Sequence, residues 1–106
     1  MKSFTQMQQR EAIAHAASGG QALHTIDGSW ANLRSDTPQC FKGQRQIAHL
    51  FDQDAERLQA TARKLGVRVV RIERRGQPGQ HVDLCGKPLG RAVALCERGE
   101  GGGDAN

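Results

Sequence analysis

Two imidazoles and one carboxylate have the residue types and spacing to do chemistry in this 106-residue sequence. His49 lies in the apolar stretch Gln46-Ile-Ala-His-Leu-Phe51, and His81 and Asp83 stand two residues apart in His81-Val-Asp-Leu84. Side chains alternate along a strand, so His81 and Asp83 are expected on one face of a sheet. If the strand carrying His49 pairs suitably, the three groups converge. Such a trio either binds a divalent ion or supplies an acid and a base that titrate near neutrality. Lys87 and Arg91 follow closely and suit a phosphate. The competing expectation is structural: Asp83 caps the turn before a final helix or pairs with an arginine, and His49 is hydrogen-bonded within the sheet. No complete catalytic triad, phosphate loop or metal motif accompanies the trio. Gly86-Lys-Pro-Leu-Gly90 lacks the spacing of a nucleotide-triphosphate loop, and Pro88 removes an N–H that such a cradle needs.

The other candidate ligands carry less. His15 and His24 fall in an expected helix and an expected early strand, where structural or exposed roles suit them. Cys40, Cys85 and Cys96 are odd in number and include no Cys-x-x-Cys pair. A reducing, cytoplasmic setting is therefore expected rather than a disulfide scaffold, with the thiols buried as small hydrophobes. A zinc site from Cys40, His49, His81 and Cys85 has acceptable ligands but not the close-spaced pairs of structural zinc, so no metal and no cofactor is assigned.

Charge is unevenly spread. Net charge is +4, from 15 basic and 11 acidic residues, and residues 1–54 hold five of each sign. The excess lies in residues 55–106, densest at Arg63, Lys64, Arg68, Arg71, Arg74 and Arg75, interrupted only by Glu73. With Lys87 and Arg91 these form a candidate nucleic-acid or phosphate surface. The alternative is a solvated basic face whose long stems cover apolar surface. The aromatics are Phe4, Trp30, Phe41 and Phe51, none inside the cluster, which argues against an RNA-recognition or OB-type stacking platform. No apolar run approaches the roughly 18 residues of a membrane span, and the first ten residues contain no apolar stretch resembling a secretion signal.

The elements that must position these groups follow from periodicity. Ser3 and Gln6 have capping-box spacing ahead of a helix over residues 4–17, which Gly19-Gly20 stops. Gln21–Ile26 reads as a short strand, and Asp27-Gly28 as a turn into a return strand over Ser29–Leu33. Residues 34–43 read as loop. Gln46–Phe51 reads as a buried strand, and Asp52 or Asp54 caps a helix in which Ala55, Leu58, Ala62 and Leu65 recur at helical spacing, closed by Gly66. Val67–Arg74 is a β-branched run, Gly76-Gln-Pro-Gly79 a turn, and Gln80–Leu84 a shorter strand. Pro88 suits the first turn of a last helix whose Leu89, Ala92, Val93 and Cys96 share a face. The expectation is an α+β fold: a small mixed β-sheet with a βαββα core over residues 46–97, its helices packed on one face, plus an N-terminal helix and hairpin. Within that core the first two strands are expected parallel through a right-handed crossover and the next pair antiparallel. Residues 1–97 read as one domain and residues 98–106 as a disordered Gly-rich tail.

The stretches Thr37-Pro-Gln-Cys-Phe-Lys-Gly43, His49-Leu-Phe-Asp52, Leu58 to Gly66-Val67, His81-Val-Asp-Leu84 and Arg91-Ala-Val-Ala-Leu95 together resemble a bacterial and phage domain family of unknown function. That family's pattern is a His-Leu-Trp/Phe strand, a Leu-rich helix ending in Gly-Leu, and a His-Tyr-Asp-Leu strand before a basic, alanine-rich helix. The resemblance covers about residues 37–96. Val82 stands where the family has Tyr, and no Trp-Phe follows the Val67 run, so any site built on those aromatics is altered here. The resemblance implies the fold and a setting in bacteria or mobile elements, but no mechanism.

The leading functional expectation is a non-enzymatic accessory or regulatory protein binding a polyanion, nucleic acid foremost, through its basic surface. The alternatives are a metal-assisted or acid–base hydrolase of nuclease type using His49, His81 and Asp83, and a protein-binding module such as an inhibitor of a host defence system. A modest apolar stripe on the first helix also permits a homodimer.

Overall fold

The structure is a computed structural model describing residues 1–27 and 46–98. In chain order it contains β1 (Lys2–Phe4), a 3-10 turn (Gln6–Gln8), α1 (Gln9–Ala17), β2 (Ala22–Asp27), β3 (Gln46–Phe51), α2 (Ala55–Lys64), β4 (His81–Leu84) and α3 (Gly86–Glu97). The sheet order is β1-β2-β3-β4. β1 and β2 are parallel, whereas β2–β3 and β3–β4 are antiparallel. The fold is thus α+β with a mixed sheet. No helix among the described residues is long and apolar enough to cross a membrane.

Strand alternation sorts the core into two faces. Leu23, Ala48, Leu50, Val82 and Leu84 point to the side that α2 and α3 cover with Leu58, Ala62, Leu65, Leu89 and Ala92. The two helices of the 46–97 unit therefore share one face, as periodicity implied. On the other side α1 packs Ala12 and Ala16 against Phe4, Ala22 and Phe51. α1 leaves the β3–β4 end of that second face to polar groups.

The N-terminal third departs from expectation. Residues 2–4 pair with Ala22–His24 instead of joining the helix, and helical structure starts two residues later than the Ser3–Gln6 box implied. There the backbone N–H of Thr5 donates to Gln8 Oε1 at 2.9 Å. A three-residue strand is too short for a period of two to register, and its pairing is long-range. The parallel crossover of this fold accordingly runs β1–α1–β2. Ser29–Leu33, the hairpin it would close, the loop over 34–43 and the tail beyond residue 98 lie outside the described residues.

The expected strand over Val67–Arg74 is also absent. Only Glu73 bridges to His81, exchanging hydrogen bonds of 2.8 and 3.1 Å, and β4 takes the place beside β3. The reason is visible in the alternation. As a strand the segment would present Val67, Val69, Arg71 and Glu73 on one side and Arg68, Val70, Ile72 and Arg74 on the other, so neither side is apolar throughout. Val82 and Leu84 of β4, 2% and 1% exposed, give one clean apolar face instead.

α2 is capped by Asp54, whose Oδ1 accepts the Arg57 N–H at 3.0 Å. It ends at Gly66, which has φ +100° in the left-handed region. A side chain at Gly66 would also collide with the Arg91 guanidinium, which crosses it to donate from Nη1 to the Leu65 carbonyl at 2.8 Å.

Candidate metal centre

Sheet register brings the nominated trio together. His49 pairs with His24 on β2 and with Asp83 on β4, and Phe51 pairs with His81. All these side chains therefore point to the face that α1 leaves partly uncovered. The His49 and His81 ring centroids are 4.7 Å apart. Phe51 lies 5.5 Å from each of them and 6.0 Å from His24, an apolar floor under three imidazoles. One ligand atom from each of His49, His81 and Asp83 lies within 4.8 Å of the other two. Asp83 does not cap α3; that position belongs to Cys85.

Backbone carbonyls determine how the rings carry their protons. His81 Nδ1 is 2.8 Å from the Gly79 oxygen, so Nδ1 holds a hydrogen and donates it. A neutral His81 then has a bare Nε2, which faces Asp83 Oδ1 at 3.3 Å. On β2, His24 Nε2 donates to the Gln6 carbonyl at 3.1 Å, leaving Nδ1 as an acceptor. His49 Nδ1 lies 3.3 Å from that acceptor and donates to it. His49 Nε2 is therefore also bare, and faces the same Asp83 Oδ1 at 3.6 Å. Two nitrogen lone pairs and an anionic oxygen converge with no hydrogen between them, an arrangement that requires a proton or a cation.

Two of the three spacings match a metal site. Ligand bonds of about 2.1 Å at tetrahedral angles separate neighbouring donor atoms by about 3.4 Å, against 3.3 and 3.6 Å for the two nitrogen–oxygen pairs, and the third pair lies within 4.8 Å. The Asp83 side chain is 33% exposed and that of His49 22%, so the centre is reachable from solvent. Cys85 contributes nothing to the cluster and packs on Ile26 and Ile47 instead. Cys40 lies outside the described residues.

Without a metal, one proton serves the cluster. His49 is pushed down to about 4, first by burial and then by the charge of His81, against an opposing pull from Asp83 that exceeds only the small push from His24. His81 goes the other way. Burial disfavours its charge, but hydrogen bonds to Asp83 and the Gly79 carbonyl and the charges of Asp83 and Glu73 outweigh it. The proton thus sits on His81. An unfolded chain protonates the His49 imidazole near pH 6.5, whereas the folded chain refuses that proton until about pH 4. His49's contribution is complete above pH 6.5 and is lost as pH falls toward 4. The contribution of His81 is complete below pH 6.5 and is lost as pH rises through its raised value. Calorimetry of the metal-free protein should show Tm falling between pH 6.5 and 4 more steeply than in His49→Phe. Parallel curves would contradict the assignment.

His24, expected to be structural or exposed, is buried beside the trio. It is 1% exposed and orients His49. Its period-2 position is visible, but its partner across the sheet is not, because residues 28–45 separate the strands. His15 half-covers Phe4 at 5.7 Å, a structural role.

The basic residues occupy a different place. Arg63, Arg68, Lys87 and Arg91 line one open concavity of about 620 Å³ between the end of α2 and the start of α3. Arg68 also lines an adjoining groove of about 440 Å³, together with Arg71 and Asp83. Lys64, Arg74 and Arg75 line neither hollow. Among the described residues none of these eight cations forms an ion pair. Comparison of the chain with family models, curated proteins and solved structures finds no match.

Proposed function

We propose that the protein is a divalent-metal-dependent hydrolase whose ion is held by Nε2 of His49, Nε2 of His81 and the carboxylate of Asp83. The observation that carries this reading is the pair of tautomers imposed by the Gln6 and Gly79 carbonyls, which turn two bare nitrogens toward one carboxylate. Three protein ligands would leave room for a water, the pattern of catalytic rather than structural zinc. When bound, such an ion would supply a water of lowered pKa suited to hydrolysing an ester, with His49, His81 and Asp83 holding the ion. His24 holds His49 in its metal-binding tautomer and Gly79 does the same for His81, the outer-shell support that ligating histidines need.

Protein prepared without chelator is expected to bind one equivalent of zinc or manganese by calorimetry and to hydrolyse bis(4-nitrophenyl) phosphate. His81→Ala should lower that rate by roughly a hundredfold or more, since losing a ligand exceeds the effect of losing an outer-shell partner. Wild-type protein that takes up neither ion would overturn the proposal. Uptake of ferrous iron alone, without hydrolysis, would replace it with a two-histidine, one-carboxylate oxygen-activating centre.

A further inference from the structure

We infer that Arg63, Arg68, Lys87 and Arg91 cradle the phosphodiester backbone of a single nucleic-acid strand, and that the adjoining groove leads the strand toward Asp83. The charge is uncompensated: four cations line one concavity, and none forms an ion pair among the described residues. α3 begins at its wall with Lys87 and Pro88, and no side chain caps that helix, so the positive end of its dipole adds to the field.

Position supplies the second argument. Gly66, Val67, Arg68 and Pro88 line both the concavity and the groove, so the two hollows are continuous. The groove also touches Asp83, a member of the His49–His81–Asp83 cluster, although its other β4 walls, Val82 and Leu84, face α2 and α3 while the Asp83 carboxylate faces the opposite side of the sheet. A strand that runs from the cradle to the metal centre therefore rounds the sheet edge at β4. From Asp83 along the last strand residues and the first turns of α3 to Arg91 the chain spans on the order of 15 Å. That is longer than a single phosphate, and suits a chain with repeating ones.

The groove chooses the strand type. Its walls are largely apolar, made by Val67, Val69, Val82, Leu84 and Pro88 with Arg71 and Glu73 beside them, and its 440 Å³ has the size of a small-molecule site. A sugar and base swung out of a flexible single strand fit it, whereas a duplex keeps its bases stacked inside. Val69, 80% exposed, gains a partner in this arrangement. No aromatic ring lines the groove, so binding comes from phosphates and not from stacking, and base preference is weak.

Only the fate of the strand rests on the hydrolase reading; its binding does not. The test therefore uses chelated, metal-free protein and a short fluorescein-labelled oligothymidylate read by anisotropy. Four phosphate contacts on a single strand give a slope of log affinity against log salt near −3, hence about fifty-fold weaker binding between 50 and 200 mM salt. The double variant Arg68→Ala/Lys87→Ala should keep the fold and show only about a seven-fold loss over the same range. Binding that persists in the chelated protein separates this inference from the metal proposal: protein that takes up zinc but not the oligonucleotide overturns this inference alone. A flat salt response, a slope unchanged by the double variant, or a duplex of the same length bound more tightly than the single strand would each overturn it.

Discussion

Asp83→Asn is expected to leave the fold intact and to weaken zinc binding by a hundredfold or more. The substitution preserves shape, so Val82 and Leu84 keep their places in the core. The amide offers a neutral oxygen in place of the charged donor, and its NH2 group can donate to the His81 Nε2 that the carboxylate faces at 3.3 Å. The metal-free variant should therefore be at least as stable as wild type at a pH above the raised His81 value, where that ring is neutral, and less stable below it, where wild type keeps the charged His81–Asp83 pair. Wild type should gain about 2.7 kcal/mol when zinc stands at a hundred times its dissociation constant, and the variant almost nothing. Thermal shifts with and without zinc read that difference directly. His24→Phe is the companion variant. It fills a similar buried volume but removes the acceptor for His49 Nδ1, and should cost ten- to a hundredfold in affinity, as lost outer-shell partners do. Equal zinc affinity in Asp83→Asn would mean that the ion binds elsewhere.

The trio was legible because its geometry is mostly local. His81 and Asp83 share a face by alternation alone, and one strand pairing suffices to add His49. The second half of the fold was legible for the same reason: Leu58, Ala62 and Leu65 mark a helical stripe, and Gly66 ends it. What could not be read is long-range. β1 is three residues whose pairing with β2 crosses a helix, and His24 meets His49 only through a register that no short turn dictates. Val67–Ile72 misled through composition, since β-branched residues promise a strand whether or not their alternation builds an apolar face. The basic residues were found by counting charge, but counting could not separate the four that share a concavity from Lys64, Arg74 and Arg75.

The largest loss of stability is expected at Asp52, not among the histidines. Asp52 is fully buried at the end of β3, and its carboxylate collects donors from three parts of the chain. Arg57 on α2 donates from Nε at 2.7 Å and from Nη2 at 2.8 Å, and Gln21 Nε2 donates at 2.9 Å. The backbone N–H of Asp54 adds a fourth bond of 2.9 Å, so the same carboxylate also shapes the entry to α2. Held in this way, Arg57 reaches the Gly19 carbonyl at 2.9 Å and ties the end of α1 to α2, while the hydrogen bond to Asp52 raises the Arg57 pKa. The Asp52 backbone matters too. Its carbonyl accepts from Gln80 Nε2 at 2.7 Å and its N–H donates to the Gln80 carbonyl at 3.2 Å, which sets β4 one residue before His81. Asp52→Ala removes the acceptor and leaves one N–H of the buried Gln21 amide without a partner, and such broken pairs typically cost about 3–5 kcal/mol. For a domain of this size that lowers Tm by on the order of 15 °C. Arg57→Ala should cost a similar amount, because it strands a buried carboxylate, and the double variant should cost clearly less than the two single losses combined. If Asp52→Ala melts within a few degrees of wild type, the carboxylate is a bystander, and the placement of β4, and of His81 with it, must come from the Gln80 backbone pairing alone.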